Sequence, residues 1–476
     1  MNNYNAWLSA PNTDRAVLIQ LSYISSSSVP GTIYVSNKFI TVGGIQYLPI
    51  LSSDINLTEQ IDLSGKANIS YGDISITNPN GQYDTYLSSD YIWANKAVYV
   101  YYGPTNSSNI SDYELVFRGS ISDIDCKDSN TLAFKIRSWL DLANTTIIED
   151  VVGNYKNSEI VPETTYINPQ RNALKPVCFG EVFNIAPISS DQAQHEYMVH
   201  NDDVEAILEV RENGAPVAFN TNAQSALIPK GSFRLAIMPK GTITCSVQGN
   251  KRVVSSNGTV SETYSASADK VIISILNLYA GVSHNNIDFT SLVPLAQFNV
   301  GVYLTTKSNA LAVCSSIAYS CGYALVATRL GNIAAIKLQV PNTSSNVIAN
   351  SNIILKSLSI SSRILPKAGI VFDYCTNYTV QESSGLATVL PQQHIDSYLI
   401  SKTQVDAVAQ NYAQLYSVPR HIIRLTGSRD LLYLKAGDSI QFSADLPRYN
   451  LANKYGLILS SIPSWITETI TLEVLV

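Results

Sequence analysis

Charged side chains are scarce in this 476-residue sequence, so most of its polar surface must be uncharged. Asp, Glu, Lys and Arg make up 14% of the residues, whereas an average globular chain has about a quarter. Ser, Thr, Asn and 28 tyrosines fill the remaining polar positions. Such a surface favours extensive contact with other proteins, because Tyr offers a large amphipathic area and few charges must be desolvated. A solvated β protein without a partner would show the same bias, so both interpretations stay open.

Runs of basic residues are also absent. The formal net charge is −6 and the isoelectric point is about 5.4. No cluster of Lys and Arg occurs, which argues against tight binding of nucleic acid. A mildly negative chain can still lie close to DNA without holding it.

Paired cysteine motifs, a secretory signal and long apolar runs are missing as well. None of the six cysteines forms a Cys-x-x-Cys pair, so we expect buried free thiols in a protein made in a reducing cytoplasm. The N-terminus has no basic region before an apolar stretch, so no secretory signal is expected. No apolar run is long enough to span a bilayer, so stable membrane insertion is not expected. The cysteines are Cys126, Cys178, Cys245, Cys314, Cys321 and Cys375.

The clearest pattern that is present is an alternation of apolar and polar residues between positions 97 and 136. Val98–Tyr102 alternates as a strand does, and Leu115–Ile124 leads to a polar turn at Cys126–Asn130. Leu132–Ile136 then returns with apolar residues at every second position. This stretch predicts a three-stranded antiparallel meander.

A similar pattern closes the chain. Ile124 and Leu132 are eight residues apart, and so are Ile462 and Ile470. We interpret the two stretches as two related β-barrel modules, one near each end, although any two meanders would look alike at this level of detail. The second pattern comprises Ser439–Phe442, Tyr455–Leu459, a turn at Pro463–Trp465 and Ile470–Val474.

The chain is too long for one ordinary core, and its patterns divide it into four parts. Residues 1–145 and 346–476 are predicted to be β domains, the second with one helix. Residues 146–265 are predicted to form a β-rich inserted domain, in which 150–171 is a polar loop. Residues 266–345 are predicted to form a small α+β domain. The predicted fold class is therefore mainly β with a small α+β insert.

Glycine marks two tight turns in the sequence. Gly43-Gly44 and Asn213-Gly214 each lie between strand-like runs, which is typical of two-residue hairpins.

Helical spacing occurs in three places. The predicted helices are Lys270–Ala280 with a cap at Ala268–Asp269, Ala310–Ser320 with a cap at Ser308, and Gln404–Tyr416 before Pro419.

Three motifs, in this order, resemble the tail hub (baseplate hub) proteins of long-tailed bacteriophages and gene-transfer particles. They are Lys175–Ile188, which begins Lys-Pro-Val-Cys-Phe-Gly, then Tyr197–Pro216 and Pro366–Gln381. The resemblance implies two barrel domains similar to the tail-tube subunit in each chain. It also implies a homotrimeric ring, in which two barrels from each of three chains match the sixfold tube above and a threefold tip below.

The same resemblance implies the partners and the location. A hub joins the distal tail protein ring, holds the C-terminus of the tape-measure protein in its lumen, and carries a central fibre or tip protein. DNA passes through the lumen only transiently, when the tip opens. The protein would be assembled in the bacterial host cytoplasm and would lie in the virion, at the tail tip or baseplate. Many members continue into receptor-binding modules, whereas this sequence ends at Val476, so separate proteins are expected to recognise the host.

Two groups of residues resemble metal sites but do not fit them. His195, Glu196 and His200 resemble a zinc-protease motif, yet the histidines are five residues apart and lie in a strand-like region, so they cannot share a helix face. Cys314 and Cys321 lack two further ligands at suitable spacing. No metal or cofactor is therefore predicted.

Two carboxylate pairs offer the main alternative to a purely structural role. Asp123 and Asp125 are predicted on one strand face, and Asp202 and Asp203 in a turn. Paired carboxylates could hydrolyse cell-wall glycan at a tail tip if a partner lay at the right distance. Another alternative is an adhesin that binds glycans through tyrosines. The leading prediction remains a structural hub with no catalytic residues.

Overall fold

Antiparallel strands are the predominant secondary structure, so the predicted mainly β class is confirmed. The computed structural model describes residues 4–11, 13–53, 55, 57–67, 71–152, 173–375, 378–383 and 390–476. No helix in these residues is both long and apolar enough to cross a bilayer. Most of the predicted loop at 150–171 lies outside the described residues.

The N-terminal region folds around one large sheet, with strand order β2-β1-β8-β9-β10-β6 and β7 against β1. The predicted meander is confirmed as β8-β9-β10. The predicted turn at Cys126–Asn130 is wrong in length, because the strand continues to Asp128 and only two residues turn. The elements are α1 (Tyr4–Ser9), β1 (Arg15–Ser25), β2 (Pro30–Ser36), β3 (Ile40–Val42), β4 (Ile45–Tyr47), β5 (Glu59–Gln60), β6 (Tyr71–Thr77), β7 (Tyr91–Ile92), β8 (Lys96–Pro104), β9 (Glu114–Asp128) and β10 (Thr131–Arg137).

The next region holds two smaller sheets and a separate hairpin. The Asn213-Gly214 hairpin is confirmed, and both residues have positive φ, at 47° and 86°. Positive φ at both positions is what a two-residue type I′ turn requires. The elements are β11 (Val177–Ile185), β12 (Ile188–Asp191), β13 (Glu196–Met198), β14 (Val204–Glu212), β15 (Ala215–Pro216), β16 (Phe219–Thr221), β17 (Ser232–Leu235), β18 (Ile243–Asn250), β19 (Arg252–Val254) and β20 (Val260–Glu262).

The α+β region follows, and it ends with a β-hairpin. Its helix at Ala310–Ser320 has the predicted bounds, but the cap is Asn309 rather than Ser308, because the Asn309 side chain accepts the N–H of Ala312 at 3.0 Å. The first helix begins at Ala268, two residues before the predicted start at Lys270, so the position before it is Ser267 and not Ala268–Asp269. It continues as a π-helical turn to Tyr279. The elements are α2 (Ala268–Ser274), α3 (Phe289–Leu292), β21 (Gly301–Leu304), α4 (Ala310–Ser320), β22 (Tyr323–Ala327) and β23 (Ile333–Lys337).

The C-terminal region contains the second large sheet, with strand order β24-β30-β31-β32-β29-β25. β5 from the N-terminal region also joins this sheet, against β31. The second meander, β30-β31-β32, and the late helix are both confirmed. The elements are β24 (Asn346–Ile348), β25 (Ser359–Ile364), β26 (Gly369–Tyr374), β27 (Tyr378–Ser383), β28 (Gln393–Asp396), α5 (Lys402–Tyr416), β29 (Arg420–Ser428), β30 (Ser439–Phe442), β31 (Tyr455–Ser464) and β32 (Thr469–Leu475).

The two large sheets share one hydrophobic core. Val100 and Phe134 from the first sheet belong to the same buried cluster as Trp465 and Leu472 from the second. The opposite face of the second sheet contributes residues such as Leu459 to another cluster, which includes α2, α4 and α5. The second sheet is therefore covered on both faces over part of its area, and the α+β region packs on the side away from the shared core.

Candidate functional site

The same four-strand topology occurs once in each large sheet. In the first sheet, β8, β9 and β10 are consecutive, and β6, which precedes them in sequence, pairs with β10. In the second sheet, β30, β31 and β32 are consecutive, and β29 pairs with β32 in the same way. The strand that comes first in sequence thus lies beside the last strand in both sheets. The repeat inferred from the two meanders is present as a repeat of topology.

A β-bulge marks equivalent residues in the two sheets. In the first sheet, Ile121 pairs with Ile136 and Asp123 with Lys135, so Ser122 is the extra residue. In the second, Ile458 pairs with Val474 and Ser460 with Glu473, so Leu459 is extra. Asp123 is therefore equivalent to Ser460, and Lys135 to Glu473. Bulges raise local twist and fix register, so this agreement is stronger than a shared strand order.

The equal spacing seen in the sequence does not give this register. Ile124 pairs with Phe134, whereas Ile462 pairs with Thr471. Matching Ile124 to Ile462 is therefore wrong by one position. Two residues turn between Asp128 and Thr131, whereas four turn between Ser464 and Thr469, and the extra residue Lys127 makes up only one of the two missing positions.

A short segment outside the four strands is also repeated. Leu51 forms a bridge to Ile76 of β6, and Ser52 N–H donates to Ser75 at 2.9 Å. In the second sheet, Ile353 forms the corresponding bridge to Gly427 of β29, and Ile354 N–H donates to Thr426 at 2.8 Å. Leu51 and Ile353 are thus equivalent positions.

A buried ion pair joins the α+β region to both ends of the chain. Arg329 lies in the turn between β22 and β23, and its Nε donates to Oε2 of Glu59 in β5 at 2.9 Å. The two Nη groups donate to the carbonyl oxygens of Leu432 and Leu434, and one also donates to the Ser461 hydroxyl. A buried guanidinium is tolerated when nearly all of its donors are used, as they are here.

The same turn contacts the first sheet. The carbonyl of Arg329 accepts the N–H of Arg118 on β9 at 2.7 Å. The Arg118 guanidinium lies 5.7 Å from the centre of the Trp139 ring, which is a favourable cation–π distance. Gly331 leaves room for that ring, since a Cβ there would lie 2.3 Å from it. The hairpin turn is thereby fixed between the two sheets.

A second junction joins the N-terminal segment to the last hairpin. Arg15 on β1 is 4% exposed, and it lies 3.4 Å from Glu468, which also lies 3.6 Å from Arg429. Arg15 further donates to the carbonyl of Ala10 and lies over the Trp7 ring at 5.0 Å. Together with the Arg329 junction, it holds the two sheets in one relative orientation.

The candidate acid pair Asp123 and Asp125 has a structural use. Their side chains are exposed on one strand face, as predicted, and they accept the N–H groups of Ile124 and Cys126 at 2.9 and 2.8 Å. The hydrogen bond from Lys135 is the main cause that lowers the pKa of Asp125. A glycosidase acid needs a raised pKa, so the lowered pKa of Asp125 is the opposite of what that role requires.

The residues of the zinc-protease-like motif point in separate directions. His200 is fully buried, and its Nδ1 accepts the N–H of Cys178 at 2.9 Å. Glu196 forms an ion pair with Arg234 at 2.8 Å. Burial lowers the pKa of His200 to about 4, so the ring is neutral. His195 lies in the turn before β13 with φ of 51°.

The other candidate residues also have local roles. Asp202 and Asp203 pair with Arg252 and Lys230 at 3.1 and 2.9 Å. In the described part of the chain, no group of three or more His, Cys, Asp or Glu side chains could hold a metal ion. The prediction of buried thiols holds for four cysteines, but Cys126 is exposed because the strand continues into the hairpin tip, and Cys375 is only partly buried.

Three solved structures similar to this chain are tail proteins, the broader class that includes the hub family. The 43 kDa tail protein of prophage MuSo2 from Shewanella oneidensis is 10% identical, with 97% of each chain covered and a TM-score of 0.40. The tail protein from Neisseria meningitidis MC58 is 8% identical, covers 97% of this chain and 96% of its own, and has a TM-score of 0.43. The prophage tail protein gp18 from Listeria monocytogenes EGD-e is 7% identical, with 97% and 94% covered and a TM-score of 0.39. At these values no residue role or activity is transferred to this chain.

No family model matches the sequence, and no curated protein matches it.

Proposed function

We propose that this chain is a structural tail hub that assembles as a homotrimeric ring. The observation that carries the proposal is the repeat of topology, bulge and outer segment in the two large sheets. Three copies of a chain that holds this unit twice would present six similar sheets around one axis. Such a ring can meet a sixfold tube on one side and a threefold tip on the other.

The four predicted regions have distinct roles in this proposal. Residues 1–145 and 346–476 supply the two tube-like units, and residues 146–265 and 266–345 lie between them in sequence. The Arg329 junction makes the α+β region a clamp on both units. Because the ion pair and its hydrogen bonds are buried, the angle between the two sheets is fixed before assembly. A fixed angle reduces the conformational entropy that is lost when the ring forms.

The proposed partners follow from the place of such a ring in a tail. The distal tail protein ring would contact it on the tube side, a central fibre or tip protein on the other side, and the tape-measure C-terminus in the lumen. DNA would pass through only during ejection, which suits a chain without basic clusters. The protein would be assembled in the host cytoplasm and would lie at the tail tip or baseplate of the virion.

The proposal gives the chain no catalytic step. A glycan hydrolase would depend on Asp123 and Asp125, and both carboxylates hold backbone N–H groups at a strand edge. A glycan-cleavage assay with the purified chain should therefore give no product above the buffer level.

Mass measurement of the purified chain tests the ring. One chain has a mass of 51.9 kDa, so the expected species is three times as heavy, at about 156 kDa. Imaging of that species should show threefold symmetry with six similar features around the axis. A chain that stays monomeric up to high micromolar concentration, and that lies off the tail axis in particles, would overturn the proposal.

A further inference from the structure

One edge of the first sheet has no neighbouring strand among the residues that the structure describes. β8 pairs with β9 only as far as Ile121, and β9 continues for seven residues to Asp128. Along this stretch, β10 is the only strand that pairs with β9 in the described part of the chain. The N–H groups of Ile124 and Cys126 turn to the adjacent Asp carboxylates instead. Open strand edges are places where another chain can add.

The equivalent edge of the second sheet is covered. β30 pairs with β31 as far as Leu457, and beyond the bulge Ser460 pairs with Gln60 and Ser461 with Glu59. The covering strand is β5, and it runs antiparallel to β31. Because Asp123 is equivalent to Ser460, the first sheet lacks the strand that the second sheet receives from the N-terminal region.

The repeat shows which segment should supply the missing strand. Gln60 follows Leu51 by nine residues, and Ser362 follows the equivalent Ile353 by nine residues. Ser362 lies in β25, an edge strand that pairs only with β29 in the described residues, and five of its six residues are exposed. Over the described ranges of one chain, β25 therefore covers no other sheet edge, whereas its counterpart β5 covers an edge of the second sheet.

The charges of these two edges, and the sheet face on which their side chains lie, are compatible with a contact between them. The distal half of β9 carries three Asp against one Lys, whereas no acidic residue occurs between Asp288 and Asp373, a stretch that includes β25 and Arg363. Arg363 has no ion-pair partner among the described residues. Asp123 lies beside Lys135, and Ser362 lies beside Ile422, so both side chains are on the sheet face opposite the shared core.

We propose that β25 of one copy pairs antiparallel with the distal half of β9 in the next copy, with Ser362 opposite Asp123. This contact uses two different surfaces, so it is heterologous and does not give a twofold dimer; with the threefold rotation of the proposed trimer it closes into a ring. It rests on the proposed trimer and names the edge-to-edge contact within it. Each pair of large sheets would then continue into the next pair around the ring.

Disulfide trapping tests the contact directly. A chain with Asp123→Cys and Ser362→Cys, in a Cys126→Ser background, places two thiols at the proposed pair, where antiparallel Cα atoms lie about 4.5–5.5 Å apart. Oxidation with copper phenanthroline should link copies into dimers and then closed trimers on a non-reducing gel, with no larger species. The matched control combines Asp123→Cys with Ser27→Cys, which is exposed in the β1–β2 turn.

Three outcomes separate the two proposals. Covalent trimers from the Ser362 variant but not from the Ser27 variant support the strand pairing. A trimeric mass with no disulfide at Asp123 and Ser362, or with equal linkage in the control, overturns the pairing and leaves the ring. A monomeric mass with no disulfide overturns both.

Discussion

Arg329 Nε lies 2.9 Å from Glu59 Oε2, with the two side chains only 6% and 10% exposed. Because Glu59 lies in β5, this pair sits where the α+β hairpin, the N-terminal region and the second sheet meet. Removing one member would leave a buried charge, which costs about 3–5 kcal/mol. We therefore expect Glu59→Gln to lower the free energy of unfolding by about that amount, measured by denaturant titration.

An exposed pair provides the control for that substitution. Lys230, which is 55% exposed, pairs with Asp203 at 2.9 Å. Exposed pairs contribute little to stability, because water and salt screen them, so Lys230→Met should leave the free energy of unfolding nearly unchanged. Equal losses for Glu59→Gln and Lys230→Met would show that the buried junction does not hold the regions together.

The buried His200 predicts a loss of stability in acid. Its Nδ1 accepts the N–H of Cys178, and burial lowers the pKa of the ring to about 4. An unfolded histidine has a pKa near 6.5. Between these values only the unfolded state takes up the proton, so stability falls as pH drops from about 6.5, by about 3 kcal/mol near pH 4.

This dependence can be separated from that of the carboxyl groups. His200→Gln keeps a side-chain acceptor but cannot be protonated in this range, so its stability should fall less between pH 6.5 and 4.5 than that of the unchanged protein. Denaturant titrations at four pH values measure both slopes. Parallel slopes for the two proteins would contradict a neutral, buried His200.

Local elements were predictable because local patterns determine them. The two meanders, the hairpin turn at Asn213-Gly214 and the helix Ala310–Ser320 all follow from periodicity and turn chemistry over short windows. The cap of that helix moved by one residue, from Ser308 to Asn309, because two adjacent residues can both serve as caps and only the backbone geometry decides between them.

The junction was not predictable, because its members are far apart in sequence. Arg329 precedes Leu330-Gly331-Asn332 in the sequence, and its partner Glu59 is 270 positions away. The register of the repeat was hidden for a related reason: bulges add single residues that equal spacing cannot show. An Arg in a hairpin turn is ordinary at a protein surface, so no local signal marked Arg329 as buried.

Gly180 predicts a large effect from a small substitution. It has φ of +64°, and a Cβ there would lie 1.8 Å from the carbonyl oxygen of Val300. Gly214 also has positive φ, at +86°, but a Cβ there would meet nothing within 4 Å. Gly214→Ala should therefore lower the free energy of unfolding only through backbone strain, by about 1–2 kcal/mol. Gly180→Ala should lower it by a further amount of about 1–3 kcal/mol, because the Cβ overpacks the strand contact.

Thermal unfolding of the two glycine variants measures this difference. Because φ is positive at both positions, both variants carry backbone strain, and the comparison reports mainly the clash with the neighbouring strand. Similar midpoints for Gly180→Ala and Gly214→Ala would mean that β11 and β21 can move apart at little cost, contrary to their close approach at Gly180 and Gly301.

A negative charge at position 362 should weaken self-association, and a positive charge there should strengthen it. If Ser362 of one copy faces Asp123 of the next, Ser362→Glu places like charges opposite each other and Ser362→Lys places opposite charges there. Cross-strand pairs of this kind contribute about 0.2–1 kcal/mol, so each interface should weaken or strengthen by up to about fivefold. Adding Asp123→Lys to Ser362→Glu should restore association.

Mass photometry over a dilution series measures the trimer fraction, with Ser27→Glu as the control for net charge. If Glu and Lys at position 362 shift the trimer fraction in the same direction, side chains at Asp123 and Ser362 do not face each other, and another surface must join the copies.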